Sequence, residues 1–181
     1  AWEMAQQLQA AGQEVALLAL IDSYAPSMSE LETDEASLAN SLAADLGGLF
    51  GIELPLTQLN LEQLQLEEQL QQIFTVAKRL NLLPPEVGME QMRYLFQVFQ
   101  ANRVAIANDQ PQPYSGKVVL FCASSSAEDR GWSPLATGEL ETHTIPGDHY
   151  AMMLQPQVRI LAQELEACWN VGLNNCVVRS N

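Results

Sequence analysis

The sequence is poor in basic residues. Its 181 residues include 8 lysines and arginines against 22 aspartates and glutamates, which gives a formal net charge of −14. The first basic residue is Lys78, so residues 1–77 contain no lysine or arginine. Nucleic-acid binding needs a cationic face for the phosphates, and anionic membrane surfaces attract basic segments. We therefore expect neither nucleic acid nor a membrane among the partners.

Long apolar runs are absent as well. The longest one, residues 15–21, is too short to span a bilayer, and the N-terminus carries no basic segment of the kind that precedes a signal sequence. Apolar residues make up 48% of the chain, enough for a sizeable core. The length predicts one domain, with room for an inserted subdomain.

Cysteine is scarce. Cys122, Cys168 and Cys176 are odd in number and have no metal-like spacing. They fit a reducing compartment, so we expect a cytoplasmic protein.

The hydropathy pattern predicts an α/β fold with a mostly parallel sheet. Continuous rather than alternating apolarity in residues 14–21 (EVALLALI) and 117–123 (KVVLFCA) is typical of strands buried on both faces. The remaining predicted elements are a helix over 1–13, a mostly helical block over 30–109, a half-exposed strand over 139–145 and a final helix from Pro156. The order indicates a helical insertion after the first strand.

The acidic, glutamine-rich stretch 58–72 falls within this helical block. It fits a solvated helix face, and the alternative is a docking surface for a basic partner.

Two residues have positions suited to catalysis. Asp22 follows the first buried strand directly, and His149 lies in the loop after the last strand. Catalytic groups of open parallel sheets gather beyond the carboxyl ends of the strands. A carboxylate there can fix the tautomer of an imidazole and leave its other nitrogen as a general base. The alternatives are a turn or capping role for Asp22 and a plain surface position for His149.

Other titratable residues are weaker candidates. His143 lies within the predicted third strand, which points to a sheet face rather than a site. Asp148 adjoins His149 in sequence and is expected to shape the turn. Asp129 and Glu128, which follow the second strand, are the reserve candidates for the acid.

A nucleophile is missing. The motif G-x-S-x-G, which places a serine on a sharp strand-to-helix turn, occurs nowhere in the chain. No cysteine has a comparable context.

Three segments in order resemble the thioesterase domains of nonribosomal peptide synthetases and polyketide synthases, which are α/β-hydrolases. Residues 1–8 (AWEMAQQL) resemble the helix that follows the family's G-x-S-x-G-G motif. Residues 17–26 (LLALIDSYAP) resemble the strand that bears the triad aspartate, and residues 145–150 (IPGDHY) resemble the segment with the triad histidine. Residues 114–121 and the pair Gly131-Trp132 also fit.

The resemblance implies a partial α/β-hydrolase fold. Residues 1–28 and 110–181 would form the hydrolase core, and residues 29–109 a helical lid insertion. Asp22 and His149 would be the catalytic acid and base, and the nucleophilic serine would lie about six residues before Ala1. The chain then corresponds to the carboxyl-terminal portion of the domain and is expected to be inactive alone.

The same resemblance implies a reaction and a partner. An acyl or peptidyl chain would pass from the 4′-phosphopantetheine thiol of a carrier domain to the serine, and water or an internal nucleophile would then release it. The domain would need no cofactor of its own and no metal. The alternative is a noncatalytic binding or scaffold protein that kept half of the hydrolase fold. The sequence preceding Ala1 discriminates between them.

Overall fold

The computed structural model describes residues 1–26, 34–52, 54, 64–126 and 129–179, with side chains up to residue 171. The chain divides into two compact units, one formed by Ala1–Ser29 with Gln110–Asn181 and the other by Glu30–Asp109. The first unit contains α1 (Trp2–Ala10), β1 (Leu18–Ile21), β2 (Val118–Ala123), β3 (Leu140–Ile145), a 3₁₀ turn (Ala151–Met153) and α5 (Gln157–Arg179). The second contains α2 (Glu35–Gly48), α3 (Leu66–Arg79) and α4 (Met89–Asn108).

The strands form a parallel sheet in the order β1-β2-β3, as the apolar runs predict. Ile21 is in register with Phe121, and Phe121 with His143. All three strands therefore end at the same edge, and β2 lies between the other two. The loops that follow the strands are brought together there, although long stretches of sequence separate them.

The first strand differs from the prediction. It begins at Leu18 rather than at residue 14, because its ladder with β2 starts only where the amide of Leu18 meets the carbonyl of Lys117. Ile21 is 39% exposed, so this strand is not buried on both faces. Among the described residues β1 pairs on one side only, and its outer edge lacks the neighbour that would cover it.

The central strand supplies both halves of the core. Its alternate residues Val118, Leu120 and Cys122 pack with Trp2 and Ala5 of α1 on one face. Val119, Phe121 and Ala123 pack on the other face with β3, the 3₁₀ turn and α5. Every residue of β2 is buried, as expected for a strand with helices on both faces.

The second unit has its own core. One apolar face of α3 and α4 is mostly core: Leu70, Ile73, Ala77, Met92 and Phe96 are buried, whereas Leu95 is 37% exposed. The helices begin at recognisable signals. Asp34 Oδ1 accepts a hydrogen bond from the Ser37 amide at 2.9 Å before α2, and Glu68 Oε2 accepts one from the Gln65 amide at 3.1 Å before α3.

In the described part of the chain, every helix is too short or too polar to cross a bilayer.

Candidate active site

The structure brings Asp22 and His149 together across the carboxyl end of β2. Asp22 directly follows β1, and His149 lies in the loop after β3. His149 Nδ1 lies 2.8 Å from Asp22 Oδ2, although 127 positions separate the residues in sequence. The parallel register explains this contact, because β1 and β3 flank β2 and end level with it.

Asp22 is held from several directions. Its backbone is in the left-handed region, with φ of 46°, a conformation that aspartate tolerates better than most residues. Its amide donates to the Phe121 carbonyl at 2.8 Å, and its Oδ1 accepts from the Ala123 amide at 2.7 Å. The side chain is 1% exposed. The end of β2 therefore fixes both the backbone and the carboxylate of Asp22.

The ionised form of Asp22 is favoured despite its burial. Burial is the largest single influence on the pKa of Asp22 and acts to raise it. Hydrogen bonds from the Ala123 amide and from His149, together with the Arg130 guanidinium, outweigh burial and leave the pKa of Asp22 below its usual value. The site thus contains a buried carboxylate that is charged at neutral pH.

The loop that carries His149 is fastened to the end of β2. Ser124 Oγ donates to the Gly147 carbonyl and accepts from the Gly147 amide, both at 3.1 Å. Gly147 has φ of 106°, which side chains with a Cβ rarely adopt. Asp148 shapes the turn, since its Oδ1 accepts from the amides of Tyr150 and Ala151 at 3.0 and 2.8 Å.

His149 has one anchored and one open nitrogen. Its side chain is 58% exposed, and Nε2 has no hydrogen-bond partner among the described residues. When Nδ1 carries the proton and donates it to Asp22, Nε2 presents a lone pair. The pair can then accept a proton at Nε2 while the carboxylate stabilises the resulting imidazolium.

Arg130 is a site residue that the sequence analysis missed. Its guanidinium contacts Asp22 Oδ1 through Nη2, and the side chain is 2% exposed. The same Nη2 contacts Ser126 Oγ, and the guanidinium lies 4.1 Å from the centroid of the Tyr24 ring. The sequence contains one indication of this role. Arg130 is the only lysine or arginine between Lys117 and Arg159, and it closely follows a buried strand.

The reserve acids are placed differently. The Asp129 carboxylate serves its own turn, accepting from the Gly131 amide at 3.0 Å. A hydrogen bond from the Ser133 hydroxyl, followed by the one from the Gly131 amide, lowers the pKa of Asp129. Glu128 lies outside the described residues. Among the candidate acids that the structure describes, Asp22 is the one bonded to His149.

Trp132 joins the loops around the site. Its indole Nε1 donates to the Ser23 carbonyl at 2.8 Å, next to Asp22 in sequence. Its ring stacks on Trp2 of α1 with 4.6 Å between the centroids. The segment after β1, the loop after β2 and the first helix therefore support one another.

His143 belongs to a separate cluster on β3 and α5. Its Nδ1 lies 3.0 Å from Glu164 Oε2, and its Nε2 lies 2.8 Å from Glu141 Oε1 and 3.5 Å from Cys168 Sγ. The ligand atoms of Glu141, His143 and Cys168 lie within 4.8 Å of one another, close enough for a metal ion. Lys117 already pairs with Glu141 at 2.6 Å, and burial raises the pKa of the Cys168 thiol, which favours its protonated form. This donor set is therefore poorly prepared for a metal.

The described part of the second unit contains a surface depression of about 300 Å³ along α3. It is lined by Leu64, Glu67, Glu68, Gln71 and Gln72. A lining of one leucine, two glutamines and two glutamates is too polar to bind a long aliphatic chain. Arg93 further occupies Glu67 with a bidentate ion pair.

Comparison with known proteins identifies related domains. The profile of the thioesterase domain family matches residues 1–168. Chondramide synthase cmdD of Chondromyces crocatus is 25% identical over 184 residues, covering 91% of this chain and 5% of the synthase. A probable non-canonical nonribosomal peptide synthetase, CymA of Salinispora arenicola, is 25% identical over 171 residues, covering 90% of this chain and 2% of that protein.

Solved structures agree with these sequence relatives. The four-domain nonribosomal peptide synthetase holo-AB3403 matches with a TM-score of 0.80 and 28% identity over 92% of this chain and 13% of that one. The Vlm2 thioesterase domain matches with a TM-score of 0.56 and 22% identity, over 92% of this chain and 63% of that chain. The chain thus spans a small fraction of the curated synthetases and under two thirds of this separate domain. The fold is a partial α/β-hydrolase fold, and the chain belongs to the thioesterase domain family.

Proposed function

We propose that this chain supplies the acid and the base of a serine thioesterase that releases an acyl or peptidyl chain from a carrier-bound phosphopantetheine thioester. The observation that carries the proposal is the hydrogen bond from His149 Nδ1 to the buried, ionised Asp22 at the carboxyl ends of β1 and β3. The nucleophilic serine would lie upstream of residue 1. The match to peptide synthetases supports the carrier-bound class of substrate.

In the first half-reaction His149 Nε2 takes the proton of the serine hydroxyl as the serine oxygen attacks the thioester carbonyl. The carbon–sulfur bond breaks, the acyl group is left on the serine, and the imidazolium returns its proton to the departing thiol. In the second half-reaction Nε2 takes a proton from water or from a nucleophile of the acyl or peptidyl chain as this group attacks the ester carbonyl. The bond between the carbonyl carbon and the serine oxygen breaks, and the imidazolium returns the proton to the serine oxygen. Asp22 holds the ring by Nδ1 throughout and stabilises the imidazolium.

The helical block 29–109 would cover the acyl group and exclude water. Most of its buried apolar side chains already pack against one another, so its apolar composition is largely explained by its own core. The proposed reaction needs no bound group other than the phosphopantetheine of the carrier, and a cytoplasmic location would suit this partner.

The proposal is tested in the parent protein that contains the residues before Ala1. A G-x-S-x-G motif ending just before Ala1 is expected there. An acyl thioester of N-acetylcysteamine, a truncated form of the carrier arm, should be hydrolysed by the wild type. His149→Ala should reduce kcat at least a thousandfold, whereas Asp129→Asn should leave it within about threefold.

A fluorophosphonate probe provides an independent readout. It should label the parent protein and leave the 181-residue chain unlabelled. Stoichiometric labelling of any serine in residues 1–181 would contradict the placement of the nucleophile. An unrelated sequence before Ala1, together with no thioester hydrolysis, would favour the noncatalytic scaffold.

A further inference from the structure

The triad proposed above does not require a cation beside its carboxylate, yet Arg130 is buried against Asp22. The two charged side chains are 2% and 1% exposed. Burying an ion pair costs several kcal/mol of desolvation for each ion, so such a pair is stable only where geometry and further hydrogen bonds compensate. Part of this compensation is present, because Arg130 Nη2 also contacts Ser126 Oγ and the guanidinium lies over the Tyr24 ring. The buried Nε of Arg130 has no hydrogen-bond partner among the described residues.

The two oxygens of the Asp22 carboxylate have different partners. Oδ1 contacts the Ala123 amide and the Arg130 guanidinium, and Oδ2 contacts His149 Nδ1. Two donors on Oδ1, one from the backbone of β2 and one from the loop after it, fix the rotation of the carboxylate. That rotation decides where Oδ2 lies, and therefore where the imidazole ring is held.

Arg130 is itself fixed by its surroundings. Its backbone is in the left-handed region, with φ of 48°, and its carbonyl accepts from the Ala25 amide at 2.9 Å. The guanidinium lies over the face of Tyr24, a geometry in which a cation is attracted to the ring. The segment that follows β1 thus holds the arginine from both its main chain and its side chain.

We propose that Arg130 is a positioning residue for the thioesterase reaction, which orients the Asp22 carboxylate towards His149 and keeps a compensating charge beside it. This inference rests on the proposed function only for its catalytic readout. Among the described residues, the other titratable groups near the pair are His149, Tyr24, Cys122 and Asp129, and burial raises the pKa of the Cys122 thiol. Asp22 is therefore the buried group whose charge depends most directly on the arginine.

The first experiment measures kcat and KM of the parent protein on the thioester from pH 5 to 9. The acidic limb of kcat/KM reports proton uptake by the Asp22–His149 pair, and a positive charge beside the pair disfavours that uptake. Arg130→Met should move the acidic limb of kcat/KM upward by about one pH unit and lower kcat about tenfold at pH 8, with KM within about twofold. Arg130→Lys should restore the acidic limb and part of kcat. Arg159→Met, which removes an exposed positive charge, is the control and should match the wild type.

The second experiment does not depend on turnover. Proton NMR of the complete thioesterase domain, which includes the residues before Ala1, should show a far-downfield resonance from the proton shared by His149 Nδ1 and Asp22. We expect the resonance in the wild type and Arg130→Lys, and its loss in Arg130→Met and Asp22→Asn. Arg130→Gln, which keeps donors without charge, provides a second neutral variant in case the methionine variant does not fold.

The outcomes separate the two proposals. Loss of turnover in Arg130→Met with an unshifted pH profile and an unchanged resonance would overturn the positioning role. A wild type that fails to turn over, but whose resonance still depends on Arg130, would refute the proposed function and leave the positioning of the pair supported.

Discussion

Removing the Asp22 carboxylate should leave a buried positive charge without its partner. In Asp22→Ala the guanidinium of Arg130, 2% exposed, loses its carboxylate, and the Ala123 amide loses its acceptor. Breaking a buried ion pair from one side costs about 3–5 kcal/mol. A buried amide left unpaired adds about 1–3 kcal/mol. The free energy of unfolding should therefore fall by about 4–8 kcal/mol, a large part of the 5–15 kcal/mol typical of a folded protein.

Asp22→Asn separates the two contributions. Its amide oxygen can still accept from Ala123, so its expected cost is about 3–5 kcal/mol from the ion pair alone. The double variant Asp22→Asn/Arg130→Met removes both charges and should cost less than the two single changes together, since each single change leaves the other residue unpaired.

Urea unfolding of the 181-residue chain at pH 7, followed by tryptophan fluorescence at a concentration below that at which the chain self-associates, is a suitable assay. Trp2 and Trp132 stack in the same unit as Asp22 and report on it. With a slope of about 2 kcal/mol per molar urea, Asp22→Asn should lower the midpoint by about 2 M. Asp109→Asn, an exposed carboxylate at the end of α4, is the matched control and should stay within about 0.3 M of the wild type. The reasoning fails if Asp22→Ala unfolds at the same urea concentration as this control.

Three further predictions concern the same unit. The pKa of Asp22 is lowered in the folded state, so the carboxylate stabilises the protein above its unfolded pKa of about 3.9, and this contribution is lost as the pH falls through the lower folded pKa. Between pH 7 and 2 the melting temperature should therefore fall less steeply for Asp22→Asn than for the wild type. Parallel melting curves for the two proteins would contradict this. Gly147→Ala places a Cβ on a backbone with φ of 106°, at 3.0 Å from the Ala151 Cβ. It should lower the free energy of unfolding, measured in urea, by about 1–3 kcal/mol and lower kcat in the parent protein. Gly51→Ala, where nothing lies within 4 Å of the new Cβ, should lower stability without affecting kcat. The outer edge of β1 has no partner strand among the described residues, and the strand carries no charged side chain. Size-exclusion chromatography of the 181-residue chain should therefore show self-association despite its net charge. A sharp monomer peak would count against this prediction.

Periodicity and placement predict much of this structure. The unbroken apolarity of residues 117–123 predicts the central strand. Asp22 and His149 are candidate catalytic residues only because each follows a predicted strand. Those inferences need local sequence and one general rule about parallel sheets. The hydrogen bond between the two residues then follows from the strand order, which the sequence alone does not give.

The remaining features depend on pairings between distant elements. An arginine in a loop is ordinarily a surface residue, and the burial of Arg130 becomes understandable only once Asp22 and Tyr24 are known to lie beside it. One carboxylate partner of His143, Glu141, lies two positions away on the same strand face, as the strand period indicates. The other, Glu164, comes from α5, which no spacing within β3 could indicate. The start of β1 is set by where β2 offers a carbonyl, not by where apolarity begins.

The position of the helical unit in the chain affects how the protein can vary. Residues 30–109 enter between β1 and β2, two strands that pair in direct register. Closing a flexible loop of twice the length costs only about 0.6 kcal/mol more. Insertions, deletions or exchange of this segment should therefore leave in place the strand pairing that holds Asp22 against Ala123 and His149. A chimera that replaces residues 30–109 with the corresponding segment of a relative should keep the contact between Asp22 and His149.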